Sequence, residues 1–175
     1  MSKTEAPYTP IIDGDLALAI GNLVTEWAGA QFMLVRALAD LMVGRSLKDD
    51  DDMNHAAVIF GMEARVLIGL VKTLVGIRLD PRIAEKVRDL LDGMEGAKDL
   101  RDFVCHCLWT HNKRGKWVAV QLKTVGKIKR VERAITVTEI IEKIALLHES
   151  AHSLLGYLHA SGYMKSYAPS LERPY

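Results

Sequence analysis

Trp117-Val118-Ala119-Val120-Gln121-Leu122, then Lys123-Thr124-Val125-Gly126-Lys127, then a second β-branched run over residues 128–135, mark the place where the hydrophobic period of this chain changes. The stretch reads as a β-hairpin over about residues 116–136. Directly after it, Thr136-Val137-Thr138-Glu139 has capping-box spacing, and Ile140, Ile141, Ile144, Leu147, Ala151, Leu154, Leu155 and Leu158 follow at helical intervals. The hairpin is thus an insertion before a long final helix, which the pattern ends near Gly162.

Upstream of the hairpin every strong pattern is helical. Asp80-Pro81 is a helix start, because an aspartate suits the N-cap and proline loses nothing at the first helical position. Ile83, Val87, Leu90, Leu91, Met94, Leu100 and Val104 give the helix that follows a core face, with Gly93 and Gly96 as places where it can bend or break. Before it, residues 53–77 predict a second helix, entered from the acidic loop 45–52. A first helix begins at Asp13 on the apolar series Leu16, Ile20, Leu23, Val24, Trp27, Phe32, Leu34, Val35, Leu38, Leu41 and Met42, and Gly44 stops it. The expected fold is all-α: a four-helix, up-and-down type bundle with a short β-hairpin inserted before the last long helix. One domain spans residues 13–161, between an extended lead-in at 1–12 and an extended arm at 162–175.

Composition narrows the functional classes. With 175 residues, 49% apolar and 26% charged, the chain is long enough for one well-buried core and is not a disordered protein. The formal charge is only +1, so attraction to a polyanion has to come from a local patch. Residues 111–133 supply one, with Lys113, Arg114, Lys116, Lys123, Lys127, Lys129, Arg130 and Arg133 against Glu132 alone. Cys105 and Cys107 are the only cysteines and point to different sides of a helix, which excludes a disulfide framework. Residues 1–5 lack a secretory pattern, and charges such as Glu26, Arg36, Asp40, Glu63, Arg65 and Lys72 interrupt the apolar stretches. The expected setting is therefore cytoplasmic, without membrane spans.

Arg101-Asp102-Phe103-Val104-Cys105-His106 closes the third predicted helix just ahead of the basic region. Residues four apart on a helix differ by about 40° in direction, so Asp102 and His106 are expected to touch. A carboxylate beside an imidazole orients it and favours its charged form, while a permanently cationic arginine grips phosphate in a forked contact. Arg101, Asp102 and His106 are therefore candidate catalytic residues for phosphodiester cleavage: phosphate held by Arg101, protons moved by His106, and His106 tuned by Asp102. Lys113, Arg114 and Lys116, with Trp109 as a stacking surface, are candidate RNA contacts. No metal or other cofactor is needed for this chemistry.

An arginine, a polar residue, three further residues and a histidine at the end of a helix in a small helical bundle resemble the signature of the HEPN superfamily. Trp109 after the motif and a short β segment before the last helix resemble uncharacterised bacterial members. The resemblance in plan covers about residues 13–161. It implies a homodimer that brings two copies of the motif into one cleft. It further implies metal-independent endoribonuclease activity, with a toxin–antitoxin or antiphage setting and a cognate antitoxin as partner. Asp102 stands at a position often held by asparagine, and Cys107 where many relatives have glycine. Other members of the family are non-catalytic modules that bind nucleotide, nucleic acid or protein, which is the main alternative.

A rival motif lies in the last helix. His148-Glu149-Ser150-Ala151-His152 fits the H-E-x-x-H zinc-hydrolase pattern, with His148 and His152 as ligands and Glu149 as base. Gly156 and His159 each fall one residue too late for the longer form of that motif. The same histidines otherwise line the polar edge of a packed helix.

Overall fold

The computed structural model describes residues 12–43, 59, 61–125 and 127–163. Within these are four helices, α1 (Gly14–Val43), α2 (Ala64–Arg78), α3 (Pro81–Cys105) and α4 (Val137–Ala160), and three strands, β1 (Leu108–His111), β2 (Trp117–Val125) and β3 (Lys127–Arg133). The protein is mostly helical, as the periodicity predicts, but its β part is a three-stranded antiparallel sheet in the order β1-β2-β3 rather than a hairpin alone.

Strand β1 is the element the sequence reading passed over. Leu108-Trp109-Thr110-His111 is too short for alternation to stand out, and it is specified by its turn. Asn112 Oδ1 accepts hydrogen bonds from the amides of Arg114 (2.9 Å) and Lys116 (3.1 Å), and Gly115 supplies φ +72°. That turn folds β1 back on β2, with Trp109 opposite Ala119 and His111 opposite Trp117.

Local chemistry sets the helix ends. Asp80 Oδ1 accepts from the Arg82 amide at 2.9 Å, with Pro81 at the first helical position. Thr136 Oγ1 accepts from the Glu139 amide at 3.1 Å, whereas the Glu139 carboxylate is taken by Arg133 on β3, tying the sheet to the start of α4. Helix α3 runs unbroken through Gly93 and Gly96. Of the helix expected over 53–77, residues 53–58 and 60 lie outside the described residues; Met62 N donates to Ile59 O in a turn, Glu63 is extended (φ −59°, ψ 137°), and α2 runs from Ala64. The acidic residues 49–52, most of the lead-in 1–12 and the arm beyond Tyr163 lie outside the described residues.

Contacts give the helix directions. Gly93 of α3 approaches Leu146 and Ser150 of α4, and Gly96 approaches Lys143, so these helices are antiparallel. Lys72 of α2 meets Asp92 (2.5 Å) and Glu95 (2.8 Å) of α3, and Arg65 reaches Asp99 (4.0 Å), again antiparallel. On α1, Leu16 and Leu23 pack with Leu100 and Val104 of α3, whereas residues from Trp27 to Leu41 share a core with those from Ala84 to Ala97. Helices α1, α2 and α4 therefore run one way and α3 the other. Up-and-down alternation holds from α2 to α4 but not between α1 and α2.

The interior has two parts. The larger joins all four helices around Leu34, Leu38, Leu67, Leu91, Met94 and Leu154. The smaller joins the ends of α1, α3 and α4 to the sheet through Leu23, Leu100, Val104, Ala119, Ile135 and Ile140. Leu154→Ala is expected to cost about 2–5 kcal/mol by opening a cavity. Thr136→Ala is expected to cost about 1 kcal/mol by uncapping α4. Denaturant unfolding followed by circular dichroism checks both values and their order.

Candidate functional site

The last two turns of α3 carry the site because the other side of that helix is fully used. Ala97 is buried in the core between the helices and Leu100 and Val104 in that with the sheet, so Lys98, Arg101 and Asp102, spaced three and four apart, share the flank facing a cleft. They open onto a cleft of about 710 Å³ whose walls come from four parts of the chain. Helix α1 contributes Gln31, the start of α2 contributes Glu63 and Arg65, α3 contributes residues from Lys98 to Phe103, and β2 contributes Gln121. His106, just past the end of α3, also lines it. All three predicted catalytic residues, Arg101, Asp102 and His106, thus face one cavity.

Their pairing differs from expectation. His106 is the C-cap of α3 (φ −114°, ψ 15°), its amide bonded to Asp102 O at 3.2 Å. Leaving the helical path there removes the four-residue side-chain alignment. The Asp102 carboxylate goes instead to Lys98 Nζ at 2.9 Å and Arg101 Nη1 at 2.9 Å. Asp102 therefore organises the cations of the cleft, and His106 is exposed to solvent.

Lys98 is the residue that motif reasoning missed. Its side chain is only 7% exposed and it also reaches Asp99 at 3.3 Å. The hydrogen bond to Asp102 raises its pKa above the usual lysine value, outweighing the opposing effect of burial, with Asp99 adding to the rise. The signal was present, since Lys98 precedes Asp102 by four residues on the helix. Beneath the cleft, Arg101 Cζ lies 5.5 Å from the ring centre of Trp27, which is 3% exposed, so a cation–π contact holds the guanidinium from below. Arg65, Lys98 and Arg101 are balanced in the lining by Glu63, Asp99 and Asp102. The cleft is a field of fixed dipoles and ion pairs rather than a basic trough.

The predicted RNA contacts lie elsewhere. Trp109 is half-buried against the smaller core, and its Nε1–H donates to Val104 O at 3.2 Å, satisfying a carbonyl at the end of α3. Lys113, Arg114 and Lys116 are exposed on the β1–β2 turn, and the first two line a separate depression with Arg130 and Glu132. Gln121, where β2 meets the cleft, is five residues beyond Lys116, roughly 15 Å along a strand. The basic turn and the Arg101–His106 cleft are distinct surfaces.

Both thiols are shifted towards their protonated forms. Partial desolvation raises the pKa of Cys105, opposed by Arg101 and reinforced by Asp102. Desolvation also raises that of Cys107, which donates its S–H to Val104 O at 3.4 Å. On α4, His148 and His152 are exposed with ring centres 4.4 Å apart, and Glu26 Oε2 lies 3.4 Å from His148 Nδ1. Glu149 is exposed about 100° round the helix from His148. Among the described residues, no group of three or more His, Cys, Asp or Glu side chains is placed so that it could hold a metal ion.

Lys98→Met should lower stability at neutral pH by about 1.5–3 kcal/mol, the value of hydrogen bonds to a charged group. Because the folded pKa is raised, the contribution of Lys98 is fully present below its unfolded value near 10.5 and is lost as pH rises through the folded value. The stability gap between wild type and variant should therefore close above about pH 10.5, as measured by urea unfolding across the alkaline range.

Comparison with protein-family models, with characterised proteins and with solved structures returned no match. The geometry of the cleft is what informs its function.

Proposed function

We propose that this protein is a HEPN-like, metal-independent endoribonuclease that acts as a homodimer, with the cleft at the end of α3 as its phosphodiester site. The observation that carries the reading is that Arg101 and His106 open onto the same cavity, although α3 has already ended between them. Arg101, steadied by Trp27 and Asp102, is oriented to take a phosphate oxygen, and its charge stabilises the pentacoordinate transition state. His106 takes the proton of the ribose 2′-hydroxyl as that oxygen attacks phosphorus, or returns one to the departing 5′-oxygen. One cleft holds one such imidazole, so a second copy of the motif completes the acid–base pair.

On this reading the four helices form a bundle of the HEPN type, and the exposed cations of the β1–β2 turn, Lys113, Arg114 and Lys116, guide RNA towards the cleft from a distance. A cytoplasmic toxin–antitoxin or defence system, with a cognate antitoxin protein as partner, is the corresponding setting. Among the described residues no helix is long and apolar enough to cross a membrane.

The neutral balance of the lining favours a second reading, a non-catalytic module of the same fold. Three carboxylates beside three cations suit a nucleotide or a protein segment of mixed charge better than a bare polyanion. Arg101→Ala and His106→Ala are each expected to reduce cleavage of a single-stranded RNA by about 100-fold or more while the circular dichroism spectrum is kept. Cleavage by the wild type should persist in chelator. Binding of nucleotide or RNA without cleavage would support the module, and cleavage unchanged in both variants would remove the nuclease assignment.

A further inference from the structure

We propose that the face of the sheet turned away from the smaller core is a docking groove for an acidic segment of another protein that carries aliphatic side chains. The groove is separate from the cleft, and the inference does not depend on the nuclease reading.

Strand β2 is apolar on both of its faces. Ala119 enters the smaller core, so by strand alternation Val118, Val120 and Leu122 face the other way. A sheet with one wetted face carries polar residues there, whereas a run that is apolar on both faces is the mark of a strand covered on both. Val118 and Val120 are 6% and 7% exposed, yet neither belongs to either core. The register sets Leu108 of β1 and Glu132 of β3 on either side of Val120, and Arg130 beside Leu122. Leu108 and Leu122 are 69% and 60% exposed, so the outer face ends in two large aliphatic side chains in water.

Two depressions follow this face. One, of about 460 Å³, is lined by Leu108, Val120 and Leu122, and the other, of about 530 Å³, by Lys113, Arg114 and Val118. Arg130 lines both, which makes them one groove, apolar at one end and basic at the other. Every residue in its walls comes from the sheet or the β1–β2 turn, so among the described residues no helix covers it.

Charge identifies the occupant. Arg130 is paired with Glu132, whereas Lys113 and Arg114 form no ion pair among the described residues. A protein segment with carboxylates beside aliphatic side chains supplies what both ends of the groove lack. A second copy of this chain would bring the same cations to face them. RNA would neutralise the cations but leave the leucines without an apolar partner, and the rings best suited to stack on bases, Trp109 and Trp117, pack against the smaller core instead. From Trp117 to Leu122 the strand covers roughly 17 Å, a span that about eleven helical residues match. On the nuclease reading, such a partner would also cover two of the cations assigned to guiding RNA.

Selection from a displayed library of random peptides of about 16 residues should enrich sequences rich in Asp and Glu with aliphatic residues at helical spacing. Enriched peptides, synthesised with a fluorophore, should bind the full chain saturably by anisotropy. Leu108→Ser and Leu122→Ser should each weaken that binding about tenfold or more. Lys113→Glu combined with Arg114→Glu should do the same and flatten its dependence on salt. Ile77→Ser, at an equally exposed position of α2, should bind as wild type. All these side chains are exposed, so the helical spectrum should be kept in every variant. No enrichment, enriched peptides without net negative charge, or binding unchanged in both leucine variants would overturn the proposal. Binding of a single-stranded RNA that falls in Leu122→Ser would overturn it in favour of nucleic acid, and a dimer in sedimentation that Leu122→Ser dissociates would overturn it in favour of a second copy.

Discussion

Burial of Leu100 and Val104 is the constraint on which the arrangement of this protein depends. These two residues carry the end of α3 into the smaller core, where α1, α4 and the sheet meet. A helix pinned along one side has no choice about the other. With 100 and 104 inward, 98, 101 and 102 share the flank that lines the cleft, Lys98 buried and Arg101 and Asp102 partly exposed. The same pinning decides where the sheet sits. Ala119 of β2 packs against these residues, and Gln121, two positions along on the same face, is thereby delivered to the wall of the cleft.

Helical periodicity and end chemistry were legible in the sequence because they are local. Asp80-Pro81 and Thr136 start α3 and α4 where their side chains can accept from the amides two or three residues on. Facts that depend on distant partners were not legible. Strand β1 has only four residues, and its identity lies in the register it finds against β2. The parallel course of α1 and α2 is invisible in two amphipathic patterns, which are the same for either direction. Within the site, Arg101, Asp102 and His106 line one cleft, but spacing misjudged their partners, because His106 falls one residue beyond the helix, where spacing rules lapse. Trp27 lies 74 positions before Arg101, and nothing near either residue announces the contact.

Charge placement separates the two surfaces that the sequence had joined. Lys113, Arg114 and Lys116 of the basic region 111–133 sit on a turn anchored by Asn112, whereas every cation of the cleft has a carboxylate close by. Fields of these two kinds act differently. An exposed basic turn attracts a polyanion over about a Debye length, roughly 8–10 Å in ordinary salt, and confers little orientation. Paired charges in a cleft attract little from afar but present fixed directions to whatever enters, and this is the property that transition-state stabilisation requires. On the proposed reading, guiding and orienting would fall to different surfaces, which a net charge of +1 permits.

The Asp102 contacts extend that reasoning to the chemistry. A carboxylate bound to His106 would have strengthened the imidazole as a base; bound to Lys98 and Arg101 it leaves the imidazole facing solvent and fixes the guanidinium instead. Arg101 is then held by Asp102 at its edge and by the Trp27 ring beneath it, so its planar fork is oriented before any ligand arrives. Less conformational freedom remains to be lost on binding, which favours affinity for a planar, bidentate acceptor such as phosphate or carboxylate. Asp102 competes for the same guanidinium, however, and an incoming anion has to share it or displace it. If the cleft takes an anion as proposed, geometry would decide more than charge: an anion that leaves the Asp102 contact of Arg101 intact would be favoured over one that has to displace it.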